Sequence, residues 1–244
     1  MSGEPVTVWA RPERGTRGPA AAHSRAELTA VAVALADRGG LAAVTMRQVA
    51  KELGAGQASL YRYLSGRADL LDLMADAVAG EIDLAEPLSG DPVADLVALA
   101  VRTKAVHLRH PWLSDIPPEP LRLGPRGLDY LEYALRALAP ARLPGRAKVE
   151  AVALMNALIA QFARTELQGA RTDTDRRTAQ AAYLNEAAAR GDHPHLAAAL
   201  ADDTATDPAA GPVADPATDA AADPQELFTR TMHRVLTGLV QPAP

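Results

Sequence analysis

The chain has 244 residues, 48% hydrophobic, 23% charged and only 4% aromatic, with a formal charge of −5. That length supports one sizeable core or a small domain joined to a larger one, and net acidity argues against a protein that coats nucleic acid. The absence of cysteine excludes disulfides, thiolate metal sites and thiol nucleophiles and fits the cytoplasm, while abundant Ala, Leu and Arg with few β-branched or aromatic runs predict an all-α fold.

Residues 1–22, rich in Gly, Pro and Arg, read as a flexible basic arm without the apolar run of a secretory leader. Ser24 with Glu27 predicts a capping box at the start of a first helix, whose Leu28, Val31, Ala32 and Leu35 share a face and which Gly39-Gly40 should stop. Thr45 with Gln48 predicts a second box and a second helix ending at Gly54. A short third helix carries Leu60, Tyr61 and Leu64, and Ser65-Gly66 precedes a fourth, from about Arg67 to Gly80.

Longer helices follow. Asp91-Pro92 pairs an N-cap with proline at the first helical position, and Pro111 ends that helix. Pro117, Pro118 and Pro120 mark an irregular crossing. Further helices are expected from about Arg126 to Leu138, Arg146 to Gln168 and Asp173 to Arg190. The apolar stretch Ala151 to Ala163 within the second of these is too short to cross a bilayer, so no membrane span is expected. Residues 201–223 are an Ala/Asp/Pro/Thr tract with too little apolar bulk to offset the entropy of ordering, and are expected to be disordered. A last helix begins at Asp223-Pro224, with Phe228, Met232, Val235, Leu236 and Leu239 in a stripe. The domain reading is therefore 1–22 arm, 23–82 head, 83–200 helical body, 201–223 tract and 224–244 C-terminal helix.

Charge is distributed unevenly. From Arg11 to Arg67 nine Lys/Arg stand against four Asp/Glu, and then Asp69, Asp72 and Asp76 turn the balance acidic. A basic head on an acidic body is the arrangement that local phosphate contact requires. Within the head, residues 45–64 read as two helices joined by a tight turn. Ala50 is small where they cross, Gly54 takes an unusual backbone angle, and Val49, Leu53, Ala55 and Leu60 form the joint. That leaves Gln57, Ala58, Ser59, Tyr61 and Arg62 at the start of the second helix, where Gln and Arg can pair with base edges and hydroxyls suit phosphates.

At Thr45, Ala50, Leu53-Gly54, Leu60-Tyr61, Tyr63-Leu64 and Arg67 the sequence resembles the TetR family of transcription regulators, closely from about Ser24 to Ile82. Gly56 stands where the family has a Ser or Thr cap, and Leu64 where it has Phe. The resemblance implies an N-terminal helix-turn-helix and a larger helical ligand-binding and dimerising domain. It implies phosphate contacts from Thr45, Tyr61 and Arg67, groove contacts from Arg47, Gln57, Ala58, Ser59 and Arg62, and a backbone-facing Tyr63. Arg109-His110-Pro111-Trp112-Leu113 and Gly124-Pro125-Arg126 resemble the tetracycline-repressor-like C-terminal type. The implied function is a repressor, homodimeric on double-stranded operator DNA and released by a small molecule.

Arg11, Arg14 and Arg17 either solvate the leader or enter a minor groove. The long helix is apolar on nearly all sides (Val149, Val152, Leu154, Met155, Leu158, Ile159, Phe162, Leu167), so a second subunit is the economical cover, with the last helix offering another surface. His107, Trp112, Tyr130, Tyr133, Asn156 and Phe162 are either ligand handles or plain core. His107 with His110 on one helix face, and His193-Pro194-His195 in an expected loop, permit a metal but lack a carboxylate cluster, so neither metal nor cofactor is expected. No phosphate loop, nucleophile elbow or zinc-hydrolase motif marks an enzyme. A helical small-molecule-binding enzyme and a ligand-independent architectural protein remain the alternatives.

Overall fold

The computed structural model describes residues 7–11, 23–116, 123–169, 174–206 and 223–240. Among them every regular element is a helix: α1 (Arg25–Ala43), α2 (Met46–Glu52), α3 (Gln57–Leu60), α4 (Arg67–Ala79), α5 (Pro92–Arg109), α6 (Pro125–Ala137), α7 (Gly145–Gly169), α8 (Thr174–Ala189), α9 (Pro194–Thr206) and α10 (Pro224–Val240), with 3-10 turns at Val8–Ala10 and Pro111–Asp115. None of the described helices is long and apolar enough to cross a membrane.

Local chemistry sets the ends. Ser24 and Glu27 form the full capping box of α1, each side chain taking the other's amide. Gly40, at φ 69°, breaks α1, but a last turn resumes to Ala43, so the glycine pair bends the helix without ending it. At α2 only half the box forms, Thr45 accepting the Gln48 amide at 3.1 Å. Asp91 accepts the Val93 and Ala94 amides ahead of Pro92.

The chain divides into two compact units, Met1–Arg164 with Met232–Pro244, and Thr165–Thr231. In the first, Leu28, Ala32, Leu35 and Ala36 of α1 pack with Val49, Ala50, Leu60, Leu64, Leu70 and Met74 to fill the head. Such a core is small for three short helices, and α4 joins it to the body, where Leu96, Leu99 and Ala100 of α5, Ala134 and Leu138 by α6, and Val152, Met155 and Ile159 of α7 are buried. Away from that buried stripe, on different sides of α7, Val149 is 47% and Leu154 50% exposed. In α10, Phe228, Met232, Leu236 and Val240 recur every four residues and are all buried, so this stripe is core; Val235 and Leu239 stay half-exposed beside it.

The second unit holds α8, α9 and the chain on either side of them. Two expectations change here. His193-Pro194-His195 opens α9 and is no loop: the His193 carbonyl accepts the Ala197 amide and Pro194 fills the first helical position. The helix then runs through Thr206, six residues into the stretch expected to be disordered, because alanine propensity carries it. The rest of that tract, 207–222, lies outside the described residues, as do Pro117, Pro118 and Pro120. A groove of about 440 Å³ between α8 and α9 is lined by Tyr183, Leu184, Ala187 and residues 192–196.

Candidate nucleic-acid interface and sensor core

Residues 45–64 form the expected hook. Val49, Ala50 and Leu60 are its buried joint, with Leu53 and Ala55 half-covered. Gly54 sits at φ 65°, a left-handed angle that lets the Ala55 amide reach the Ala50 carbonyl at 2.9 Å. A β-branched residue there would be strained.

The hook holds one set of side chains outward. Arg47, Gln57, Ala58, Tyr61 and Arg62 are exposed, Tyr61 at 52%. Thr45 is exposed too; its oxygen accepts the Gln48 amide, which leaves its hydroxyl proton to donate. Ser59 is half-buried and donates back to the Gly56 carbonyl at 2.6 Å, so only its lone pairs remain.

Two of the expected contact residues are engaged within the protein. Tyr63 is 5% exposed and its hydroxyl donates to the His23 carbonyl at 2.8 Å, tying the chain before α1 to the end of the motif. Its ring belongs to the core because Leu60 and Leu64 on either side pull that face inward. Arg67 donates to the Val44 and Leu41 carbonyls at 2.7 and 3.0 Å, satisfying acceptors left over where α1 ends. The arm also departs from expectation at its described part. Val8 is buried, and Arg11 pairs with Asp69 at 2.7 Å instead of standing free for a groove. Arg14 and Arg17 lie outside the described residues.

In the body, Tyr130 donates to Asn156 at 2.6 Å, joining α6 to α7, and burial pushes its pKa up to about 12. Thr103 of α5 lies beside the same hydroxyl. One turn on, the half-buried His107 carries a buried Nδ1 without a hydrogen-bond partner. Phe162 is half-buried. Tyr133 is 4% exposed; it donates to the Glu86 carbonyl at 2.9 Å, and the Arg102 and Arg136 guanidiniums lie 5.7 and 5.4 Å from its ring centre.

Trp112 is a joint residue, a role its sequence context gave no hint of. It is 1% exposed, and its indole donates to Asp37 of α1 at 2.7 Å. His110 shares that acceptor at 2.7 Å and reaches Glu81 with its other nitrogen at 3.2 Å. Burial raises the Glu81 pKa, but the hydrogen bonds from His110 and Arg109 outweigh it and the net shift is downward. Asp37 and Glu81 thus bind head to body through one buried imidazole. Among the described residues no cluster of three or more His, Cys, Asp or Glu is arranged for a metal.

Burial lowers the pKa of His107 from 6.5 to about 4. The folded protein therefore holds it neutral, while an unfolded chain takes up a proton near 6.5. This contribution to stability is complete above pH 6.5 and is lost as the pH falls toward 4, amounting to about 2 kcal/mol at pH 5. Urea unfolding at pH 5 and 7 should show a smaller pH difference in His107→Phe than in the wild type; an equal difference would mean the ring is solvated.

Two family profiles match the chain: bacterial regulatory proteins of the tetR family over residues 28–74, and the tetracyclin repressor-like C-terminal domain over residues 85–209. The HTH-type transcriptional repressor DrrR1 of Streptomyces coeruleorubidus is 34% identical over 207 residues, 81% of this chain and 76% of its own. An HTH-type transcriptional regulator of Saccharopolyspora erythraea is 34% identical over 199 residues, 80% of this chain and 82% of its own. Among solved structures, the Streptomyces coelicolor protein ActR in complex with actinorhodin superposes with a TM-score of 0.71 at 24% identity, covering 89% of this chain and 96% of that one.

Proposed function

Because the chain belongs to the TetR family of bacterial regulatory proteins, we propose that it is a homodimeric repressor that leaves its operator when a small molecule fills the body. DNA binding and transcriptional regulation come with the family. Repression, dimer, contact residues and release are the proposal, and it assigns no catalytic step.

One observation carries it: a rigid hook, held by Val49, Ala50 and Leu60, that keeps Gln57, Ala58, Tyr61 and Arg62 exposed together. Gln57 and Arg62 can read base edges, and Arg47, Thr45 and Tyr61 can hold phosphates. Ser59 accepts where a donor approaches, and Arg67 buttresses the start of α4. Dimerisation falls to α7 around its exposed Leu154, with the half-exposed Val235 and Leu239 of α10 as a second surface. Two copies place two hooks about one or more duplex turns apart on a palindrome.

The body supplies neutral handles: Tyr130 with Asn156, Thr103, and the unpaired Nδ1 of His107. Such groups suit an effector with hydroxyl or carbonyl oxygens on an apolar frame. DrrR1 carries the name of a repressor and ActR holds actinorhodin, which supports this direction. Release requires that the effector bind one head arrangement better than the other, and the Asp37–His110–Glu81 joint is where body movement reaches α1 and α4. A gel-shift titration on duplex from upstream of its own gene, with and without actinorhodin and related aromatic compounds, tests the reading. A complex that a compound dissolves is the expected result. A complex that no compound affects favours the ligand-independent architectural alternative, and no complex at all overturns the reading.

A further inference from the structure

Asp69 and Asp76 lie seven residues apart on one face of α4, and each carboxylate is occupied by a different part of the chain. Asp69 accepts the Ser65 hydroxyl and the Arg11 guanidinium, both at 2.7 Å, as well as the Ser65 amide. Asp76 accepts the Gly127 amide at 2.9 Å, and the Arg126 amide also bonds to it, so a carboxylate of α4 caps the first turn of α6. The N-terminal segment lies along the same edge. Val8 is 1% exposed, Trp9 is half-buried, and the Arg11 carbonyl accepts from Arg25 of α1 at 2.9 Å. At its far end Trp9 lies over Gly124, the residue that precedes α6. A Cβ added there would be 2.5 Å from Trp9 Cζ2 and closer still to the Asp76 carboxyl. Only glycine lets indole, carboxylate and the start of α6 meet so closely.

We propose that residues 8–11 are a clip that couples the reading head to the sensor body, by bridging Asp69 of α4 to the start of α6 alongside the Asp76 cap. In this role Trp9, Arg11 and Gly124 are positioning residues. The segment is spoken for within the protein, so it is no minor-groove arm. Its consequence for operator release rests on the regulator reading above; the coupling itself does not.

The test perturbs one end and reads the other, by amide hydrogen exchange on the full chain without DNA. Arg11→Ala should speed exchange of the Arg126 and Gly127 amides roughly fivefold or more, and Trp9→Ala that of the Ser65 amide, with global unfolding unchanged. Gly124→Ala, which displaces the indole, should speed exchange of the Ser65 amide, bonded to Asp69 at the other end. Trp9→Phe should restore much of the protection. Changes confined to the end that was mutated would overturn the clip. So would unaltered exchange in Arg11→Ala together with weaker duplex binding and a shallower salt dependence, which is the signature of a phosphate contact. If the wild type binds no duplex at all, the exchange data still decide on the clip, and only the regulator reading fails.

Discussion

Arg62→Ala is expected to weaken operator binding by roughly ten- to a hundredfold, the loss of about 1–3 kcal/mol that follows removal of a base-reading or charge-assisted contact. Its helical circular dichroism, thermal midpoint and sizing should match the wild type. The side chain is exposed, whereas the head core is supplied by its neighbours Leu60, Tyr63 and Leu64, so folding has little to lose. Tyr61→Ala should behave similarly, since its ring is half outside the protein and its hydroxyl is poised for phosphate. The two differ in kind: a loss that is uniform across duplex sequences marks a phosphate contact, and one that relaxes preference at a single position marks a base contact. Native-like fold with undiminished affinity in both variants would remove these residues from the interface.

Leu154→Glu is expected to have a still larger effect. Val149 and Leu154 stand about half exposed on α7, an arrangement that leaves large apolar groups in water unless something covers them. Across a twofold axis each substitution counts twice, removing roughly 1.5–3 kcal/mol of burial per side and placing like charges close together. Light scattering at micromolar concentration should show a monomer. Because a dimer binds its second half-site at high effective concentration, operator affinity should fall by about a hundredfold or more. Retained dimer and retained affinity would move the interface off this face.

Much of the fold was legible because local rules act over three or four residues. Ser24 with Glu27, Asp91 with Pro92 and Gly54 each did what their chemistry required. The hook was legible too, since small, apolar and glycine positions recur at the spacing two crossed helices need. Tertiary contacts were not legible. Nothing beside Trp112 in sequence points to Asp37, 75 positions away, so an indole read as either ligand handle or plain core is seen as part of a joint. Tyr63 and Arg67 carry polar tips that suit phosphates, yet Tyr63 is buried on the His23 carbonyl and the exposed Arg67 donates to the Val44 and Leu41 carbonyls. The α10 stripe matched a dimer surface in period, but period alone does not say whether the protomer or a partner buries it. At α9, His193-Pro194-His195 read as a loop where Pro194 opens a helix, and alanine-rich sequence gave no stripe to follow. The N-terminal arm looked flexible by composition, yet Val8 and Arg11 had partners waiting on α4 and α1.

Whether α3 lies in a duplex groove can be probed directly, because the chain contains no cysteine. Ala58→Cys places a single thiol on the exposed face of α3, to which an iron chelate can be attached for local DNA cleavage. In the gel-shifted complex, two cleavage patches related by twofold symmetry and separated by one or a few duplex turns, about 10 base pairs each, are predicted. A shifted complex in which the tagged residue cuts nowhere would contradict the placement of α3, and with it the assignment of how this protein reads DNA.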